Sequence, residues 1–137
     1  MQNIKAPRRR AQPSIYLTEA DYDVIASLAM QMEARAPELA SMILSEIDRA
    51  KLRSPERMPA DVVRLGSEVT FLDDSNGTTR KVRLVLPGHA DIEAACISVM
   101  TPVGAGLIGM TVGGEINWPC PDGRPRVLKI LEVSQQP

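Results

Sequence analysis

Residues Ser98–Glu115 read SVMTPVGAGLIGMTVGGE, and the class of fold turns on whether Gly104, Gly106 and Gly109 form a dinucleotide-binding fingerprint. Their spacing is G-x-G-x-x-G and they follow a strand-like run. A fingerprint works where it opens a long helix in a right-handed crossover to a parallel strand, with an acidic residue about 20 positions on for the ribose. Here Gly113-Gly114 is expected to end the helix after about two turns. The chain then forms Glu115–Trp118, a turn at Asp122-Gly123 and a last strand over Val127–Val133, which is a hairpin and not a crossover. The glycines are instead expected to let a short helix lie close to a sheet.

Upstream of this stretch the hydrophobic period is two. Val62, Val69 and Phe71 alternate with polar residues, Asn76-Gly77 is a hairpin turn before a strand over Lys81–Leu86, and a third strand spans about Ala95–Met100. Still earlier the period is helical. Thr18 begins Thr-Glu-Ala-Asp, an N-cap with acidic residues in the first turn, and Tyr22, Ile25, Leu28 and Met32 form one apolar stripe. Pro37 suits the first turn of a second helix, with Leu39, Ile43, Ile47 and Ala50 as its stripe. Two helices of about 20–25 Å joined by about five residues should fold back as an antiparallel hairpin. The prolines of Arg53-Ser-Pro-Glu-Arg-Met-Pro59 end the second helix. The expected organisation is α+β: a basic tail over 1–14, a helical hairpin over 15–53, a linker over 54–61, and an antiparallel β-domain with one short helix over 62–137.

Composition removes several classes of function. Among 137 residues, Lys and Arg number 16 against 17 Asp and Glu, so no overall basic field favours sequence-specific nucleic-acid binding. Lys5, Arg8, Arg9 and Arg10 lie beside Pro7 and Pro13, a solvated-tail composition without the interleaved aromatics of a single-strand binder. Cys96 and Cys120 make no C-x-x-C, His89 is the sole histidine, and no signal-peptide or membrane-span pattern is present. Expectations are a reduced cytoplasmic protein with neither metal nor cofactor. Cys96 with His89 lacks an orienting third group for nucleophilic catalysis. No Walker lysine follows the glycines, so phosphoryl transfer is not expected.

Asp48-Arg-Ala50, Ser54-Pro-Glu56, Met58-Pro59 with Asp61-Val-Val63, Ser98-Val-Met100, Pro102-Val-Gly-Ala105 and Leu107 with Gly109 carry a resemblance. From about Thr18 to Val133 the chain resembles the regulators of nucleoside diphosphate kinase (Rnk), relatives of the Gre transcript-cleavage factors of bacterial RNA polymerase. The resemblance implies a short coiled-coil hairpin and an FKBP-like C-terminal sheet domain. It further implies a non-enzymatic protein that binds polymerase at the β′ subunit near the secondary channel, competes with Gre-type factors and does not stimulate cleavage. An FKBP-like sheet invites a prolyl isomerase reading, but a proline pocket lined by aromatics is hard to build from Tyr16, Tyr22, Phe71 and Trp118 alone. The other reading is regulation of nucleoside diphosphate kinase through a different protein partner.

Two sets of residues follow as candidates. In Gre factors the turn before the short helix carries an acidic and a serine-proline element, and Met100, Thr101, Pro102 and Val103 occupy that turn here. Pro102 matches, while Met100 replaces the acid. Pro102 is equally accounted for as a helix starter. At the hairpin tip stand Glu33 and Glu38, where Gre factors present acids to the catalytic magnesium. A carboxylate holds that ion only within about 2.1 Å, and helices of about five turns fall short of a buried active centre. The two glutamates are better accounted for as solvated helix-end charges.

Overall fold

A computed structural model describes residues 14–74, 76–119 and 125–135. Strand β1 (Tyr16–Leu17) leads into α1 (Glu19–Met32), then α2 (Pro37–Asp48), β2 (Lys51–Leu52), β3 (Glu68–Asp73), β4 (Thr78–Val85), β5 (Cys96–Ser98), α3 (Pro102–Leu107), β6 (Glu115–Pro119) and β7 (Pro125–Ser134). The basic tail expected over 1–14 falls almost wholly outside the described residues, as do Cys120 and the Asp122-Gly123 turn.

The helices begin where their chemistry dictates. Thr18 caps α1, its hydroxyl accepting from Asp21 N–H at 3.1 Å, and Pro37 occupies the first turn of α2. Ile25 and Ala29 of α1 and Ile43 and Ile47 of α2 are buried, and the helices pack on one another. Tyr22 Oη adds a polar tie, donating to Asp48 Oδ1 at 2.8 Å. That acceptor raises the phenol above its ordinary pKa, because ionised tyrosine would face the carboxylate without a proton to share.

The main sheet has the order β5-β4-β3-β7-β6. Its β3–β4, β3–β7 and β6–β7 pairs are antiparallel. The expectation of a wholly antiparallel sheet is corrected at one edge: β5 pairs β4 in parallel, Leu84 opposite Ile97. Residues 86–95 loop back so that Cys96 stands opposite Arg83 in the last part of β4, which permits the parallel direction. A bulge between Thr70 and Phe71 shifts the β3–β7 register. Phe71, Val82, Leu84, Leu107, Ile116, Leu128 and Ile130 share one buried cluster with Ile25, Ile43 and Ile47, so helices and sheet form a common core.

Three further expectations are corrected. The short helix ends at Leu107, not at Gly113-Gly114, because Gly109 takes φ +79° and turns the chain. Gly113 and Gly114 pair with β7 instead, Gly113 N–H donating to Ile130 O at 2.8 Å and Ile130 N–H to Gly114 O at 3.0 Å. Val62 belongs to no strand and makes an isolated bridge to Thr111. Strands β1 and β2, absent from the sequence reading, form a two-stranded parallel sheet with Tyr16 opposite Lys51.

Strand β1 joins the helices to the rest. Tyr16 N–H donates to Gly109 O at 3.0 Å, Gly109 N–H to Val63 O at 2.9 Å, and Val63 N–H to Met110 O at 2.8 Å. A Cβ on Gly109 would lie 2.9 Å from Ile15 Cβ and 3.0 Å from Tyr16 O. Gly104 is closed to a Cβ as well, by the Ser98 carbonyl of β5. The approach at Gly104 bears out the expectation that a glycine lets α3 lie close to the sheet, whereas Gly109, past the end of α3, meets β1 instead. At the other end of the chain Gln135 makes a clamp, its amide donating to Ala60 O at 2.9 Å and Val62 O at 2.7 Å while its carbonyl accepts from buried Ser67 at 2.7 Å.

Two predictions follow from these contacts. Gly109→Ala should cost about 2–5 kcal/mol, combining a left-handed backbone with overpacking. Gly113→Ala, with φ +89° but open space around it, should cost only about 1–2 kcal/mol. Urea unfolding of the pair checks this; equal losses would show that the approach of β1 contributes nothing. The second concerns Asp21, whose carboxyl is raised above its ordinary value by burial, with Arg64 and the Leu65 N–H acting the other way. A raised folded pKa means stability present below the unfolded value near 3.9 and lost as pH rises through the folded one. The melting temperature of Asp21→Asn relative to wild type should therefore rise from pH 3.5 to pH 7, and a difference that falls over that range would contradict this reading.

Candidate functional site

The turn between β5 and α3 is assembled by two hydroxyls. Ser98 Oγ accepts from Met100 N–H at 2.9 Å. Thr101 Oγ1 donates to Ser98 O at 2.7 Å and accepts from Gly104 N–H at 3.1 Å, which makes Thr101 the N-cap of α3. Pro102 follows at the first helical position, where its missing N–H is no loss. The helix starts sharply because cap, proline and a glycine that tolerates the β5 backbone are consecutive requirements met by Thr101, Pro102 and Gly104.

The four candidate contact residues are presented unequally. Met100 is only 7% exposed and belongs to the core. Val103 is half-buried against the same cluster, Thr101 is half-buried and engaged as the cap, and Pro102 alone of the four is exposed. Met100 is thus a packing residue of the turn, which is anchored beside β4 where Val99 N–H donates to Val85 O at 2.9 Å.

Glu33 and Glu38 stand on either side of the α1–α2 connection. Glu33 is the C-cap of α1, Glu38 lies in the first turn of α2, and both are exposed. Glu38 faces a helix N-terminus, which favours its charge, whereas Glu33 sits at a C-terminal end, which does not. At 14 and 12 residues the helices are about 21 and 18 Å long. The structure does not bring these acids together with the Pro102 turn by any hydrogen bond or ion pair among the described residues.

Cys96, half-buried at the start of β5, directs its thiol toward Ala94 O at 3.7 Å, and His89 lies exposed in a 3-10 turn over Pro87–His89. Among the described residues no group of three or more His, Cys, Asp and Glu side chains is arranged to hold a metal. A shallow groove that the sequence reading missed is lined by Thr18, Glu19, Ala20, Leu52, Arg53, Ser54 and Pro55, beside the Arg53 guanidinium, which sits 5.1 Å from the Tyr16 ring centre. Alternation of buried Ile15 and Leu17 around half-buried Tyr16 is the signal that marks β1 and hence this groove. The groove combines the Glu19 carboxylate, the Arg53 guanidinium and the Ser54 hydroxyl with a Thr18 hydroxyl already engaged as the cap of α1. Pro102 in the turn and Glu33, Arg35 and Glu38 around the α1–α2 connection are all exposed.

A family model for "Transcription elongation factor, GreA/GreB, C-term" matches residues 58–135. A "Regulator of nucleoside diphosphate kinase" from Escherichia coli (strain K12) is 38% identical over 127 residues, covering 93% of each chain. A "Transcription elongation factor GreA" from Azorhizobium caulinodans is 31% identical over 114 residues, 83% of this chain and 69% of that protein. The solved structure "Prokaryotic transcription elongation factor GreA/GreB from Nitrosomonas europaea" superposes with a TM-score of 0.69 at 30% identity, covering 90% of this chain and 99% of that one. These relatives are named as regulators and elongation factors, not as enzymes. With its buried glycine-rich α3 and five-stranded mixed sheet, this chain belongs to the GreA/GreB family of transcription elongation factors and, within it, to the regulators of nucleoside diphosphate kinase.

Proposed function

We propose that the chain is a non-enzymatic, cytoplasmic regulator that binds RNA polymerase at the β′ subunit near the secondary channel, competes there with Gre-type factors and does not stimulate transcript cleavage. In this reading residues 15–53 act as a short coiled-coil hairpin, 54–61 as a linker and 62–137 as an FKBP-like docking domain. The observation that carries it is the combination of an exposed acidic tip with helices of about 21 and 18 Å. Strand β1, which leads into α1, is hydrogen-bonded to Gly109 through Tyr16, so the tip has no slack with which to extend. Docking is assigned to the Met100–Val103 turn, in which Pro102 supplies the exposed side chain and Met100 and Val103 support it from below.

A second reading rests on the name of the Escherichia coli relative: action on nucleoside diphosphate kinase through some partner other than polymerase. A pull-down from lysate separates the two. Recovery of the β and β′ subunits supports the first; their absence beside another dominant partner supports the second.

Added to a stalled elongation complex, the protein should leave the nascent transcript at its intrinsic cleavage rate. Cleavage above that rate, lost in a Glu33→Ala, Glu38→Ala double variant, would overturn the argument from reach. Pro102→Asp should keep the fold, since an acid is welcome in a helix's first turn. It should weaken polymerase binding by tenfold or more, about 1.4 kcal/mol. Thermal melting measured beside a Gre-displacement titration checks both halves, and a folded variant that displaces the Gre factor at wild-type concentrations rules out this turn.

A further inference from the structure

The most exposed large hydrophobic side chain among the described residues is Ile92, at 91%. A lone exposed isoleucine on a mobile loop needs no explanation, but this one is held. Asp91 and Cys96 exchange two backbone hydrogen bonds, each 2.9 Å, which close the loop at its neck. Inside it, Asp91 Oδ1 accepts from Glu93 N–H at 3.1 Å, and Ala94 and Ala95 N–H donate to Asp91 O and Ile92 O at 3.1 and 3.0 Å. Ala95 takes φ +57°, a left-handed conformation that a non-glycine residue adopts at a cost. The loop is therefore folded tightly around its own backbone while its apolar side chain makes no use of the core.

The surroundings limit what covers Ile92. Residues 87–95 are all exposed, with Pro87, Ala90, Ala94 and Ala95 adding small apolar surface around the tip. The formal charges within this segment are the carboxylates of Asp91 and Glu93. The nearest cation in register, Arg83 opposite Cys96, is committed elsewhere, donating to Gly66 O at 2.7 Å and lying 4.0 Å from Glu68. The loop thus presents one branched aliphatic group flanked by two acids. Its neck is bonded to β5, the edge strand that leads at its other end into the Pro102 turn, so loop and turn occupy the two ends of one sheet edge.

We propose that Ile92 is a preorganised anchor that inserts into an apolar cleft rimmed by lysine or arginine on the polymerase surface engaged by the Pro102 turn. This rests on the docking reading above and adds a second contact at the opposite end of β5. Holding the loop before binding removes the ordering cost that a flexible anchor would meet, and the acids select a basic rim and speed encounter with it.

Affinity for core polymerase, measured by immobilised-polymerase binding in parallel for wild type, Ile92→Ser, Ile92→Leu, Glu93→Lys and Pro102→Asp, tests the proposal. Ile92→Ser should lose tenfold or more, the transfer value of a buried aliphatic side chain. Ile92→Leu should stay within about threefold, since volume and apolarity are kept. Glu93→Lys should slow association and weaken its salt dependence. Melting temperatures should match wild type throughout the Ile92 and Glu93 variants, because neither side chain contributes to the core. Wild-type affinity for Ile92→Ser with a loss for Pro102→Asp would overturn the anchor and leave the docking turn standing. No measurable binding by the wild type would overturn both.

Discussion

The approach of β1 to Gly109 is the constraint on which the architecture depends. Gly109 gives its carbonyl to Tyr16 and its N–H to Val63, while Met110 accepts from Val63, so three short segments are tied at Gly109-Met110. None of these segments is long enough to be stable as an isolated strand pair. Together they place Ile15 and Leu17, each 1% exposed, into the shared core and start α1 at a fixed point against it. A side chain at 109 would separate β1 from the sheet domain, and with it the base of both helices.

That dependence follows from helix length. Helices of 14 and 12 residues lie at or below the length at which isolated helices are marginal, so propensity alone does not hold them. Their stability comes from the faces turned to one another and to the common core: Ile25, Ala29, Ile43 and Ile47 are all buried. Glu46, 8% exposed, is tolerated at the foot of α2 because Arg49 meets its carboxylate twice, at 2.9 and 3.3 Å. The helices thus behave as one layer of the core and not as a separate projection.

Period and capping made much of this legible in the sequence. Thr18, Pro37, Asn76-Gly77 and the alternation through Val69 and Phe71 mark their elements because each signal is local, carried within a few residues of where it acts. The misses share a different property. Strands β1 and β2 have two residues each and exist only through partners about 35 positions away, from Tyr16 to Lys51, so no local period announces them. The parallel β4–β5 pair depends on the path of residues 86–95, and the end of α3 on which of several glycines adopts positive φ. At the candidate site the cap and proline of α3 were legible for the same local reason. The burial of Met100 was not, because it depends on packing against core residues from elements far away in the sequence.

In the proposed docking, these same contacts determine what the tip can do. Pro102 and Gly109 are seven positions apart and joined by α3, whose packing is set by the closeness of Gly104 to Ser98. Gly109 in turn holds β1, which leads through Thr18 directly into α1. No flexible segment intervenes between the docking turn and the base of the helices along this route. The position of Glu33 and Glu38 relative to Pro102 is therefore a property of the folded core and not of a hinge. A protein that needed its acids deeper in a channel would have to lengthen α1 and α2 by whole turns, each adding about 5.4 Å, or loosen Gly109 at the expense of the core. Short helices on a rigid base suit a competitor that occupies a surface, because such a protein gains from preorganisation and has nothing to deliver.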